Sequence, residues 1–150
     1  LYYINLTSIF IYRFFIYLEK IKFQFMKPKI PLYAIGGYCT LQAIAIFFAV
    51  DILVPQVFNT TPEGMEIAIL MHYGMAPAFL MMGLVALFAT KFELSSQRQV
   101  LLAFIIGYLP LFGVFYYFTG LDVMNAGMET LAPDFICFAL ALFAYFKTKE

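Results

Sequence analysis

The sequence predicts an all-α, transmembrane four-helix bundle with both ends in the cytoplasm (N-in/C-in). Three observations carry that expectation: an apolar composition, four long apolar runs, and a one-sided distribution of basic residues. Of the 150 residues, 64% are hydrophobic and 12% charged, whereas soluble domains are about 45–50% apolar and about one quarter charged. A soluble core of this size would leave roughly a third of the unfolded chain's surface in water, so the excess apolar surface points to lipid. The length fits one domain.

The segment 1–25 stands apart. It is rich in Tyr, Phe and Ile, has Arg13 in its middle, and precedes Met26-Lys27-Pro28-Lys29, which has the form of a bacterial start. Three readings stay open: translated upstream sequence from a mis-called start, an interfacial amphipathic helix, or a fifth span. Residues 26–150 are then the transmembrane domain.

The first span covers about residues 31–54, interrupted only by Thr40, Gln42 and Asp51. The second covers about 67–90. Thr61-Pro62-Glu63 ahead of it reads as an N-cap, a first-turn proline and a first-turn acid, so the helix is expected to begin inside the loop. The third covers about 100–118. The fourth, about 131–147, is short, with Pro133-Asp134 at its start. Each run approaches the ~20 apolar residues a spanning helix needs. None alternates as a barrel strand does.

Orientation follows from the cations. Arg13, Lys20, Lys22, Lys27 and Lys29 precede the first span. Lys91 and Arg98 lie between the second and third, and Lys147 and Lys149 close the chain. All fall on one side of a four-span reading, which the positive-inside rule makes cytoplasmic. The acids Asp51, Glu63, Glu66, Asp122, Glu129 and Asp134 fall at or near the other face. A net charge of zero gives no reason to expect a nucleic-acid partner. In this topology Cys39 sits toward the inner leaflet and Cys137 toward the outer. A disulfide needs Cα atoms within about 7 Å, so none is expected.

Helices in lipid pack through small and polar residues. Ala68, His72, Ala76, Phe79, Gly83, Ala86 and Thr90 share one face of the second helix. Ala68, Ala76, Gly83 and Ala86 are its expected packing positions, with Gly107 and Gly113 on the third helix. That face carries the single histidine. Asp51 lies about one turn below the outer end of the first span, and His72 roughly 8 Å below that of the second. An ionisable group inside a span costs on the order of 3 kcal/mol at the centre and reads by default as a functional site with a partner. The expected site is therefore an Asp51–His72 pair, completed by Tyr73, Tyr116, Tyr117 and Asp134 into a polar pocket facing outward. A purely structural reading competes with it: a hydrated Asp51, a His72 hydrogen-bonded across helices, and tyrosines anchored at the interface.

No catalytic constellation, phosphate loop or metal-ligand spacing is visible, so no catalytic residue, metal or cofactor is expected. The acid-rich start Pro62-Glu63-Gly64-Met65-Glu66, the Tyr73-Gly74 pair, Gly83-Leu84 in a helix ending at Lys91, and Arg98-Gln99 at the next entry resemble the DoxX-like group of small four-helix bacterial membrane proteins, over about residues 30–147. The resemblance implies the fold and a bacterial inner membrane, and no catalytic residue. The expected function is a non-enzymatic component of a lipid bilayer, as a homo-oligomer or beside a membrane-protein partner. Two alternatives remain: a small proton-coupled carrier using the Asp/His site, and a membrane redox or lipid-modifying enzyme.

Overall fold

The computed structural model describes residues 27–147. The segment 1–25, with its three readings, lies outside the described residues. The described chain is helical: α1 (Lys29–Val57), α2 (Pro62–Ala89), α3 (Leu94–Phe118), a single 3-10 turn (Met128–Leu131) and α4 (Ala132–Lys147). Four helices are long and apolar enough to cross a membrane, the last counted together with its 3-10 turn. The helix ends overrun the apolar runs because capping, not hydropathy, sets them. Thr61 is extended and its hydroxyl accepts from the Gly64 N–H at 3.2 Å, so α2 starts at Pro62 within the loop.

The closest partnership is α1 with α2. Leu32, Ile35, Gly36, Cys39, Ala43, Ile46, Val50 and Val54 are buried on α1 at three- and four-residue steps. On α2 the buried residues are all small: Ala76, Gly83, Ala86 and Ala89. Small side chains let the two backbones approach, which compensates for lipid being as apolar as the core. Ala68 is half-buried at the same seam. Gly107 and Gly113 take no part in packing: both are exposed, and a Cβ added at either meets nothing within 4 Å. They were expected at a helix contact because a small residue in a span looks the same whether it meets a neighbour or an open face.

The other partnership, α3 with α4, is aromatic. Phe112 stacks on Phe135 at 4.2 Å between centroids, and Tyr108 meets Phe138 edge-on at 6.1 Å. Between α2 and α3, by contrast, little packs beyond their shared turn.

Both ends of the bundle are tied. At one end the connections pair: the Asn59 N–H donates to the Val123 carbonyl and the Asn125 N–H to the Val57 carbonyl, each at 2.8 Å. At the other end Gln97 is buried, and its amide donates to the carbonyls of Thr90 (3.1 Å) and Phe92 (2.8 Å). It thereby satisfies carbonyls at the C-cap of α2 and in the turn that follows. Replacing Gln97 with Leu strands both acceptors in an apolar setting. A loss of about 1–3 kcal/mol is expected, read as a lower unfolding midpoint with earlier proteolysis at Lys91. An unchanged midpoint would show that water serves these carbonyls instead.

The helices differ in length. α1 has 29 residues and α4 has 16, or about 43 Å and 24 Å at 1.5 Å per residue. The chain before α4 therefore descends alongside the longer helices, and the start of α4 lies well inside the bundle.

Candidate functional site

The descent carries Asp134 inward. It is the third residue of α4 and only 7% exposed. Its Oδ2 accepts from the Tyr38 hydroxyl at 2.8 Å. Tyr38 lies nine residues from Lys29, about 14 Å along α1, and Asp134 thirteen residues from Lys147, about 20 Å along α4. Both positions thus lie well inside the bundle, away from either helix's lysine end. Asp134 was expected near the outer face because the apolar run begins at Leu131, but hydropathy does not register that the preceding segment has already dipped.

Tyr38 is itself held. The Gln42 amide, one helical turn on, donates to the Tyr38 hydroxyl at 3.0 Å. The result is a relay of three side chains, Gln42 to Tyr38 to Asp134. The Gln42 Oε1 is buried and has no hydrogen-bond partner among the described residues. An unsatisfied buried acceptor of this kind costs about 1–3 kcal/mol.

Around the relay lie Cys39, Cys137 and Tyr108, all buried in one cluster. The two cysteines therefore do not sit in opposite leaflets. Cys39 is ten residues from Lys29 and Cys137 ten from Lys147, which puts them at one level on antiparallel helices. Both thiols are free.

Two adjoining cavities share Gln42, Phe79, Leu111 and Asp134 as walls. The first, about 530 Å3, lies between α2 (Met81, Met82, Val85) and α3 (Val100, Ala103, Phe104, Gly107), with Cys39 on its floor. The second, about 380 Å3, continues past His72, Met75, Phe115 and Thr130. Together they form one cleft between α2 and α3, floored by α1 and α4. It exists because the small residues of α2 face α1, leaving Met75, Phe79, Met81, Met82 and Val85 on the side toward α3.

The residues expected to form the site are partly regrouped. His72 and Asp134 both line the cleft. The His72 Nδ1 donates to the Ala68 carbonyl one turn back at 2.8 Å, and its ring meets Phe58 edge-on at 5.7 Å. Asp51 does not join it: Asp51 is exposed, and no hydrogen bond or ion pair links the two. Val50 and Val54 hold the buried face of α1, and Asp51 follows Val50 by about 100° of helical turn, just past a kink at Ala49 (φ −138°, ψ 17°). Tyr73 is exposed on α2, and Tyr116 and Tyr117 are 73% and 66% exposed at the end of α3. None of the three lines the cleft. Among the described residues no cluster of His, Cys, Asp and Glu has the geometry of a metal site.

Tyr38 and Gln42 were the unexpected members. Their signal was available: two polar side chains four residues apart in an apolar run share one helix face, and a buried face of a span is where such groups are affordable. Compared with protein-family models, with curated protein sequences and with solved structures, the chain matches none.

Proposed function

We propose that this chain is a multi-pass protein of a bacterial inner membrane, N-in and C-in, that works without catalysis as a homo-oligomer or as an accessory subunit of a larger assembly. The observation that carries this reading is the bareness of α2. Only 11% of its most apolar stretch is buried, against 28% in α1. Ile67, Leu70, Met71, Met81 and Phe88 are exposed by more than half. A helix held along one seam has most of its circumference left for lipid or for a partner helix. The DoxX-like resemblance agrees with the fold and brings no activity with it.

Lys27, Lys29, Lys91, Arg98 and Lys147 gather at the end of the bundle opposite the paired connections, which supports a cytoplasmic assignment for that end. Cysteines placed at Asn59 and Ser95 test it in intact cells. An impermeant maleimide is expected to label Asn59→Cys and spare Ser95→Cys, and the reverse pattern overturns the orientation. The oligomer is tested by the mass of the protein in lipid nanodiscs, with co-purifying chains identified. A lone monomer overturns the reading.

A carrier is the second reading, favoured because His72 and Asp134 stand along one cleft. Asp134 takes the place first assigned to Asp51. Four helices enclose little on their own, so this reading also needs a second copy, and the same mass measurement bears on it.

A further inference from the structure

Two polar side chains, Asp134 and Gln42, stand together in the otherwise apolar lining of the α2–α3 cleft. Asp134 is more than nine-tenths buried well inside the bundle, and its side-chain partner among the described residues is neutral Tyr38. The lysines lie at the far end, and Arg98 is placed over the Tyr145 ring there. A buried carboxylate needs a countercharge to remain ionised in so apolar a place. Beside it, the Gln42 Oε1 needs a donor. Phe79, Phe104, Tyr108 and Phe115 line the walls, and aromatic faces attract cations. The first cavity, about 530 Å3, is of the size that drug-like ligands fill.

From this geometry we infer that the cleft is a binding site for a lipophilic amine, with the ammonium between Asp134 and Gln42 and the apolar body along α2 and α3. An ammonium supplies both the countercharge and the N–H donors. A neutral alcohol supplies only a donor, and an anionic lipid is repelled by Asp134. A second copy of the chain fits less well, because α2 carries no basic residue and that of α3, Arg98, lies in its first turns over the Tyr145 ring. The spare side of the cleft faces the bilayer, so the ligand enters laterally from lipid. The inference concerns binding and stands apart from the oligomeric reading, which particle mass decides.

Dansylcadaverine, a fluorescent primary amine, tests it on the full chain in phosphatidylcholine nanodiscs, with empty nanodiscs as background. Saturable binding to the wild type is expected. N-acetylation of the probe's amine and Asp134→Asn should each weaken binding by about tenfold or more, while Glu63→Gln, at an exposed acid, leaves it unchanged. Equal binding of the acetylated probe, full binding by Asp134→Asn, or no saturable binding to the wild type overturns the site. Should Asp134→Asn fail to fold, Gly107→Phe decides. Gly107 lines the cleft and its Cβ position is open, so a ring added there takes up space at the cavity without displacing packed residues. Binding must fall with it, and retained binding overturns the inference.

Discussion

Gly83→Leu is expected to leave little folded protein, and Gly83→Ala to lower stability by about 1–3 kcal/mol. The reason is that backbone, not a movable side chain, occupies the space. A Cβ at Gly83 stands 2.9 Å from the Gly36 carbonyl oxygen and 2.9 Å from the Thr40 amide nitrogen, and it meets the Thr40 hydroxyl closer still. Gly36 answers from the other helix, where a Cβ meets the Gly83 carbonyl at 2.9 Å and the Leu87 side chain at 2.7 Å. Helices α1 and α2 would have to move apart along their whole shared seam, and α2 meets the other helices at little beyond its turn with α3. Elsewhere the same substitution should have the opposite sign. Gly107 and Gly113 have nothing within 4 Å of an added Cβ, so alanine there gains up to about 1 kcal/mol of helix propensity. Unfolding in mixed micelles by added denaturing detergent reads both effects. A Gly83→Ala protein as stable as Gly107→Ala would mean the α1–α2 seam is looser than these distances.

The gross architecture was legible because its causes are local. Apolar length set the spans, Thr61-Pro62 marked the start of α2, and small residues at three- and four-residue steps marked the α2 face that meets α1. The site was harder because it depends on depth and on helix phase together. Asp51 and His72 were matched by depth alone. The phase was present in the chain, since Cys39, Ala43, Ile46, Val50 and Val54 form one stripe that Asp51 leaves. Asp134 was misplaced for a different reason. Its depth depends on how far a non-helical connection sinks beside longer helices, and no periodicity records that. The cleft itself is a property of which faces α2 and α3 do not share, which only the assembled bundle determines.

The relay makes an asymmetric prediction about stability. Of the two single variants of the Tyr38–Asp134 pair, Tyr38→Phe is expected to be the less stable, lower than the wild type by about 1–3 kcal/mol, because it removes the hydroxyl donor from the buried Asp134 carboxyl group. Asp134→Leu should stay within about 1 kcal/mol of the wild type. It loses the same hydrogen bond but also removes a buried polar group from the bundle's interior, and exchanging buried polar or ionic partners for apolar side chains is often neutral or stabilising. Tyr38 is then not stranded, because the Gln42 Oε1 that lacks a partner among the described residues stands on the neighbouring turn and can accept its proton after a rotation of the amide. The double variant should therefore be more stable than Tyr38→Phe, held below the wild type by the Gln42 amide that has lost its acceptor, with a coupling energy of about 1–2 kcal/mol, at the upper end for hydrogen bonds between membrane helices. Denaturing-detergent titrations of the four proteins supply the cycle. If Tyr38→Phe is as stable as the wild type, the carboxylate is already served by water and the relay contributes nothing. If the order holds, Asp134 costs the bundle about as much as it returns, and its place in the fold is explained by what it binds. An Asp134→Leu protein that folds normally yet no longer takes up dansylcadaverine would separate the two roles in one molecule.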